Sequence, residues 1–146
     1  MTKGTILLVE DNRDDELLTL RAFSKNRIAN PIAVVRDGEE ALDYLFARGS
    51  FAERDTQDQP TIILLDLKLP KLNGHEVLKA IREEETTKLI PVIILTTSLE
   101  DEDVIRSYEL GANSYIRKPV DFSEFVSAVQ MLGTYWLLLN KSPQSR

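Results

Sequence analysis

The sequence predicts an α/β fold: a doubly wound parallel sheet of five strands in the order 2-1-3-4-5, five flanking helices and an extended C-terminal helix. Two observations predict it. The runs "TILLVE" (5–10), "TIILLD" (61–66) and "PVIILTT" (91–97) are nearly continuous in Val, Ile and Leu, as strands covered on both faces should be. Longer segments with apolar residues at helical spacing separate these runs, so strand and helix alternate along the chain.

The elements follow in order. The first strand, 5–10, leads into a helix carrying Leu17, Leu18, Arg21 and Ala22 on one side. "IAVV" (32–35) is the second strand, and Ala41, Leu42, Leu45 and Phe46 mark the helix after it. A polar link, "ARGSFAERDTQDQP" (47–60), then runs longer than the usual αβ loop and is expected to be a mobile surface excursion. The third strand, 61–66, precedes a helix marked by Val77, Leu78, Ile81 and Arg82, and the fourth, 91–97, one marked by Val104, Ile105, Tyr108 and Glu109. "NSYIRK" (113–118) is the fifth strand. Phe122, Phe125, Val129, Leu132, Trp136 and Leu139 form an apolar stripe along the last helix, enough to dock it on the sheet. Right-handed crossovers put helices on both faces.

With 146 residues, no internal repeat and no linker, the expectation is a single domain over 1–146 with its core at about 4–140. Apolar residues make up 42% and charged residues 29%, the composition of a globular chain rather than a disordered one. The absence of cysteine excludes disulfides, thiolate metal sites and a thiol nucleophile. No apolar run is long enough to span a membrane and no signal peptide is visible, so a cytoplasmic location is expected. A net charge of −6, with no compensating Lys/Arg run, argues against direct nucleic-acid or anionic-membrane binding.

In an open parallel sheet, ligands bind beyond the carboxyl ends of the strands where strand order reverses. The residues leaving those ends are Glu10 and Asp11, Asp66, Thr96 and Thr97, and Lys118 before Pro119. Strands one and three are expected to be neighbours, so three carboxylates converge, and their repulsion calls for a divalent cation. Oxygen ligands without His or Cys favour Mg²⁺, with Mn²⁺ as the alternative. Lys118 supplies a compact positive charge suited to a phosphate, and Thr96 a hydroxyl. A carboxylate held by metal, lysine and hydroxyl is suited to attack phosphorus, which accounts for an aspartate, Asp66, at the end of a buried strand.

"ILLVEDNRDD", "ILLDLKLPKLNG", "VIILTTS" and "GANSYIRKP", in this order and spacing, resemble the four signature segments of the response-regulator receiver domain, a flavodoxin-like fold of two-component signalling. The resemblance covers nearly the whole chain. It implies that Asp66 is the phosphoacceptor, that Glu10 and Asp11 are the acidic metal pair, and that the backbone carbonyl of Lys68 completes the metal site. It further implies that Thr96 is the switch hydroxyl, Lys118 the lysine that contacts the phosphoryl group, and Tyr115 the aromatic rotamer switch. Pro119 matches a proline that in the family usually follows a cis peptide bond. "TTS", "EDEDVIRSYELGANSYIRKPVDF", "YWLLLN" and the extra segment 47–60 are similar to the regulators that partner bacterial phytochrome kinases. The implied partner is therefore a sensor histidine kinase, a phytochrome in the closer resemblance.

The end of the last helix is apolar all round, which suggests a covered second face. A homodimer or kinase contact through the fourth helix, fifth strand and last helix is expected, with Tyr108, Met131, Tyr135, Trp136 and Leu138 as its candidate residues; an extra turn folded back on its own domain is the alternative. Asp14, Asp15 and Glu16 read as a solvated first helical turn, with Asn12 or Asp11 as its cap. Gly74 and Pro70 read as turn residues ahead of the third helix, His75 as exposed and without a role, and "REEETTK" (82–88) as a solvated helix end. Two other function classes compete. Haloacid-dehalogenase phosphatases also use an aspartyl nucleophile but need a second aspartate two positions on, where this chain has Lys68. A receiver-shaped binding module that is never phosphorylated would not require the complete acidic set. With only "KSPQSR" after the last helix, no DNA-binding output domain is expected.

Overall fold

In the computed structural model, which describes residues 4–118, 121–141 and 143, five parallel strands form one sheet in the order β2-β1-β3-β4-β5. These are β1 (Ile6–Val9), β2 (Ile32–Val35), β3 (Ile62–Leu65), β4 (Val92–Thr96) and β5 (Ser114–Arg117). Each is followed by a helix: α1 (Arg13–Lys25), α2 (Gly38–Phe46), α3 (Gly74–Glu83), α4 (Asp101–Glu109) and α5 (Phe122–Leu132). The predicted fold class and strand order hold. Strands β1, β3, β4 and β5 are one residue shorter at each end than the apolar runs suggest, because the chain turns out of the sheet there.

Alternation along the strands builds two cores. Ile6, Leu8, Ile62, Leu64, Ile93 and Leu95 face α1 and α5, where they meet Ala22, Phe23, Phe125, Val129 and Leu132. Leu7, Val9, Ile63, Leu65, Val92 and Ile94 face the other way, onto Leu42, Leu45, Val77, Leu78 and Ile81 of α2 and α3. The central strands are buried on both sides, which is why they read as unbroken apolar runs. Asn12, Asp37, Asn73 and Asp121 cap the starts of α1, α2, α3 and α5 with their side chains, and Asn73 forms a full capping box with Glu76.

Several expectations need correction. The inward side of α1 is Glu16, Thr19, Ala22 and Phe23; Leu17 and Leu18 are exposed. Polar residues can take that side because each is satisfied. Thr19 Oγ1 donates to the Asp15 carbonyl at 2.7 Å, and Arg36 donates to both Glu16 oxygens at 3.1 and 2.9 Å. Glu16 is therefore a buried ion-pair partner, not part of a solvated turn. The segment 47–60 is built rather than loose: a short 3₁₀ turn, Gly49–Phe51, brings Phe51 edge-on to Tyr44 at 5.2 Å. Arg54 stacks over that tyrosine ring at 3.8 Å, and Gln59 Nε2 donates to the carbonyls of Leu45 and Thr56, both at 2.9 Å. His75 is half-buried and bonded. Because the Ser107 hydroxyl gives its proton to the Asp103 carbonyl, His75 Nε2 donates to Ser107 Oγ at 3.0 Å, joining α3 to α4.

The last helix changes pitch. After Leu132 the chain continues as a π-helical segment, Gly133–Leu139, whose wider turn shifts the apolar stripe. Trp136 and Leu137 pack on the core, whereas Leu139, expected on the docking stripe, is exposed.

Arg82 is no solvated helix end. Its guanidinium donates to the Gly111 carbonyl at 3.0 and 2.8 Å, to the carbonyls of Lys88 and Ile90 at 2.9 and 2.8 Å, and to Asn113 Oδ1 at 2.8 Å. One side chain thus ties the end of α3 to the approaches of β4 and β5. Arg82→Met will cost about 2–4 kcal/mol in urea unfolding, and Arg82→Lys will recover little, since an ammonium cannot span these acceptors.

Candidate functional site

The register of the sheet assembles the site. Val9 pairs with both Val35 and Leu65, so the next residues, Glu10 and Asp66, leave the sheet side by side. Backbone bonds extend the match by one step: Glu10 N–H donates to the Val35 carbonyl at 3.0 Å and Asp66 N–H to the Val9 carbonyl at 3.2 Å. On the other flank Thr96 pairs with Arg117, and Lys118 N–H donates to the Thr96 carbonyl at 2.7 Å. Strand ends therefore place Glu10, Asp66, Thr96 and Lys118 around one depression.

Asp66 is held at both oxygens. Its Oδ1 accepts from Thr96 Oγ1 at 2.8 Å and from the Lys68 backbone N–H at 3.1 Å, and its Oδ2 accepts from Lys118 Nζ at 3.2 Å. Lys118 also donates to Glu10 Oε1 and, at 3.0 Å, to Asp15 Oδ2, so each of its three protons has a carboxylate. The contact of Asp15 with Lys118 was not legible in the sequence, because a helix-start setting already accounts for an acidic residue there. Gly74 makes the enclosure possible. A Cβ there would lie 2.4 Å from the Asp66 carbonyl oxygen and 2.6 Å from Leu67 Cα, so only glycine lets α3 start this close to the end of β3.

Glu10, Asp11 and Asp66 each bring a carboxylate oxygen within 4.8 Å of the others, Asp11 from the exposed rim and the other two from buried positions. This all-oxygen donor set fits a hard divalent cation. Burial pushes the Glu10 carboxyl up from the usual 4.5 to about 7, against the opposing pull of Lys118. Burial alone would lower the Lys118 ammonium, but Asp66 and Glu10 outweigh it and hold its pKa raised.

The Glu10 shift carries a signed prediction. A folded-state pKa of about 7 against 4.5 means that the folded chain keeps a proton the unfolded chain has lost, so the metal-free protein will lose stability as pH rises through that window. Cation binding needs the deprotonated carboxylate, so divalent-cation affinity by calorimetry will be stronger at about pH 8 than at about pH 6.

Tyr115 turns its hydroxyl inward, where it is buried without a hydrogen-bond partner among the described residues; burial raises its pKa. The expectation for Pro119 lies outside the described residues. Beside Tyr115, a shallow groove of about 510 Å³ between α4 and β5 is lined by Val104, Ile105, Tyr108 and Arg117. Tyr108 on α4 and Met131, Tyr135 and Leu138 on the last helix are exposed, whereas Trp136 is partly withdrawn into the core.

Comparison with known proteins is consistent with this geometry. Residues 6–130 match the family model for the response regulator receiver domain. The probable methanogenesis regulatory protein FilR2 of Methanothrix harundinacea is 44% identical over 138 residues, covering 94% of this chain and 86% of that protein. Response regulator Rcp1 of Synechocystis is 39% identical over 132 residues, covering 90% and 88%, and the structure of the Mn²⁺-bound form of Rcp1 matches with a TM-score of 0.87 over 97% of this chain and 99% of that one, at 37% identity. The phosphorylated cyanobacterial phytochrome response regulator RcpA matches with a TM-score of 0.90 at 38% identity, over 98% of this chain and 100% of that one. No helix among the described residues is long and apolar enough to cross a membrane.

Proposed function

We propose, because this chain belongs to the response regulator receiver family, that it is a phosphorylation switch that takes a phosphoryl group from a sensor histidine kinase onto Asp66. One observation carries the reading: a buried aspartate at a strand end whose two oxygens are held by Thr96, the Lys68 N–H and Lys118. In the transfer, an Asp66 carboxylate oxygen forms a bond to phosphorus while the bond from phosphorus to the donor atom breaks, its electron pair leaving on the donor. Glu10 and Asp11, with Asp66 and the carbonyl of Lys68, would hold Mg²⁺, or Mn²⁺ as in the Rcp1 structure. The cation supplies charge neutralisation at the transferring group. Lys118, bonded to Asp66 Oδ2, neutralises a phosphoryl oxygen, and the Thr96 hydroxyl is placed to move from Asp66 Oδ1 to the new group. Loss of the phosphoryl group to water at the same site resets the switch.

A new dianion beside Thr96 would be read by Tyr115, which pairs with Ile94 two strand positions before the Thr96–Arg117 pair, and so by the α4–β5–α5 face. That face, with Tyr108, Met131, Tyr135 and Leu138 exposed, is the proposed contact for a second copy of the chain or for the kinase. The likeness to the phytochrome response regulator RcpA supports a phytochrome as the kinase.

The test is incubation with Mg²⁺ and acetyl phosphate, followed by intact mass spectrometry and sizing chromatography. A gain of one phosphoryl group that disappears with Asp66→Asn and with a chelator supports the reading. An accompanying change in elution assigns self-association as its output. No gain, even with a cognate kinase, would sink it.

A further inference from the structure

Lys118 meets three carboxylates, and two of them change their bonding during the proposed reaction. Glu10 and Asp66 belong to the group of oxygens that would hold the cation, and Asp66 also receives the phosphoryl group. Asp15 belongs to neither. Its Oδ2 lies 3.0 Å from Lys118 Nζ, at the rim of the site. Its backbone is pinned at both ends. The Asp15 N–H donates to the capping side chain of Asn12 at 2.9 Å, and its carbonyl accepts from the fully buried Thr19 hydroxyl. The first turn of α1 thus presents a fixed acceptor to a lysine whose other two acceptors are about to be taken.

We propose that Asp15 is a positioning residue: it keeps the Lys118 ammonium aimed at the phosphoryl oxygens while Glu10 and Asp66 turn to the cation and the incoming group. This rests on the reading of Asp66 as the phosphoacceptor. A lysine stem is flexible and its ammonium is a point charge, so its direction must come from its partners. With one proton committed to Asp15, two remain for the phosphoryl group and Asp66. Without Asp15, the ammonium can swing toward the carboxylates around the cation and spend part of its time out of line.

The experiment compares Asp15→Ala, Asp15→Asn and Asp14→Asn with the wild type. Two quantities are read with Mg²⁺ present: the initial rate of phosphorylation by acetyl phosphate, and the affinity for beryllium fluoride, which mimics the phosphoryl group without any covalent transfer. Loss of one charge-assisted hydrogen bond should slow phosphorylation about tenfold in Asp15→Ala and weaken beryllium fluoride binding by a similar factor. Asp15→Asn should recover most of both, because the amide oxygen still accepts from the lysine. Asp14→Asn removes a charge from the same helical turn at an exposed position and should match the wild type. The inference is overturned if Asp15→Ala behaves as wild type, if Asp15→Asn is as impaired as Asp15→Ala, or if Asp14→Asn is impaired equally. A wild-type chain that takes no phosphoryl group would instead overturn the reading of Asp66, and this inference with it.

Discussion

Lys118→Ala will both destabilise the metal-free protein and remove most of its phosphorylation. Among the described residues, the lysine is the single cation that touches Glu10, Asp15 and Asp66. Glu10 is 1% exposed, so the neutral water that could enter the vacated space would compensate its charge only in part. Breaking a buried ion pair from one side costs about 3–5 kcal/mol, because the remaining charge is left uncompensated. Part of that cost is avoidable by protonation, and Glu10 already holds its proton up to about pH 7. The loss in urea unfolding will therefore be smaller at about pH 6 than at about pH 8, where the carboxylate must ionise or stay protonated at increasing cost. Saturating Mg²⁺ will restore much of the stability, since it supplies the missing positive charge to the same oxygens. It will not restore the chemistry: phosphorylation by acetyl phosphate should fall by about 10²–10³, the usual loss when one charge-stabilising donor is removed. Equal stability of the variant and the wild type without metal would show that the lysine does not neutralise this cluster.

The parts of this site that were legible in the sequence are those fixed by strand ends. Apolar runs that stop on Glu10, Asp66, Thr96 and Lys118 say where the chain leaves the sheet, and the strand order then brings those residues together. What was not legible depends on partners that carry no sequence signal. Four of the bonds of Arg82 go to backbone carbonyls, which every residue possesses, up to 29 positions away. Asp15 and Glu16 sit in an acidic helix start, where favourable interaction with the helix dipole already accounts for them. Only the fold reveals that one faces Lys118 and the other Arg36. The shift of the apolar stripe at Leu139 has a different origin. A periodic reading assumes one pitch, and the π-helical turn after Gly133 breaks it.

Gly74→Ala will be a damaging single-methyl change, and its effect will reach Asp66 through the backbone. The added Cβ would stand 2.4 Å from the Asp66 carbonyl oxygen, 2.6 Å from Leu67 Cα and 3.1 Å from the Asp66 carbonyl carbon. All three are main-chain atoms, so no side chain can rotate away to make room. Alanine's better helix propensity would favour the substitution by under about 1 kcal/mol at most, and Gly74 lies at the first position of α3, where even that is reduced. Overpacking against a rigid neighbour outweighs it, and a net loss of about 2–4 kcal/mol is expected in urea unfolding. Either α3 or the end of β3 must retreat. If the helix moves, the bond from Gly74 N–H to the Leu67 carbonyl, now 2.9 Å, is lost. If the strand end moves, Asp66 shifts relative to Thr96 and Lys118, and a displacement near 1 Å can cost about a hundredfold in rate. Phosphorylation rate and Mg²⁺ affinity separate the two responses. Slower phosphorylation with weakened Mg²⁺ binding locates the strain at Asp66, whereas lost stability with both unchanged locates it in α3. A variant as stable and as fast as the wild type would show that α3 does not hold the end of β3 in place.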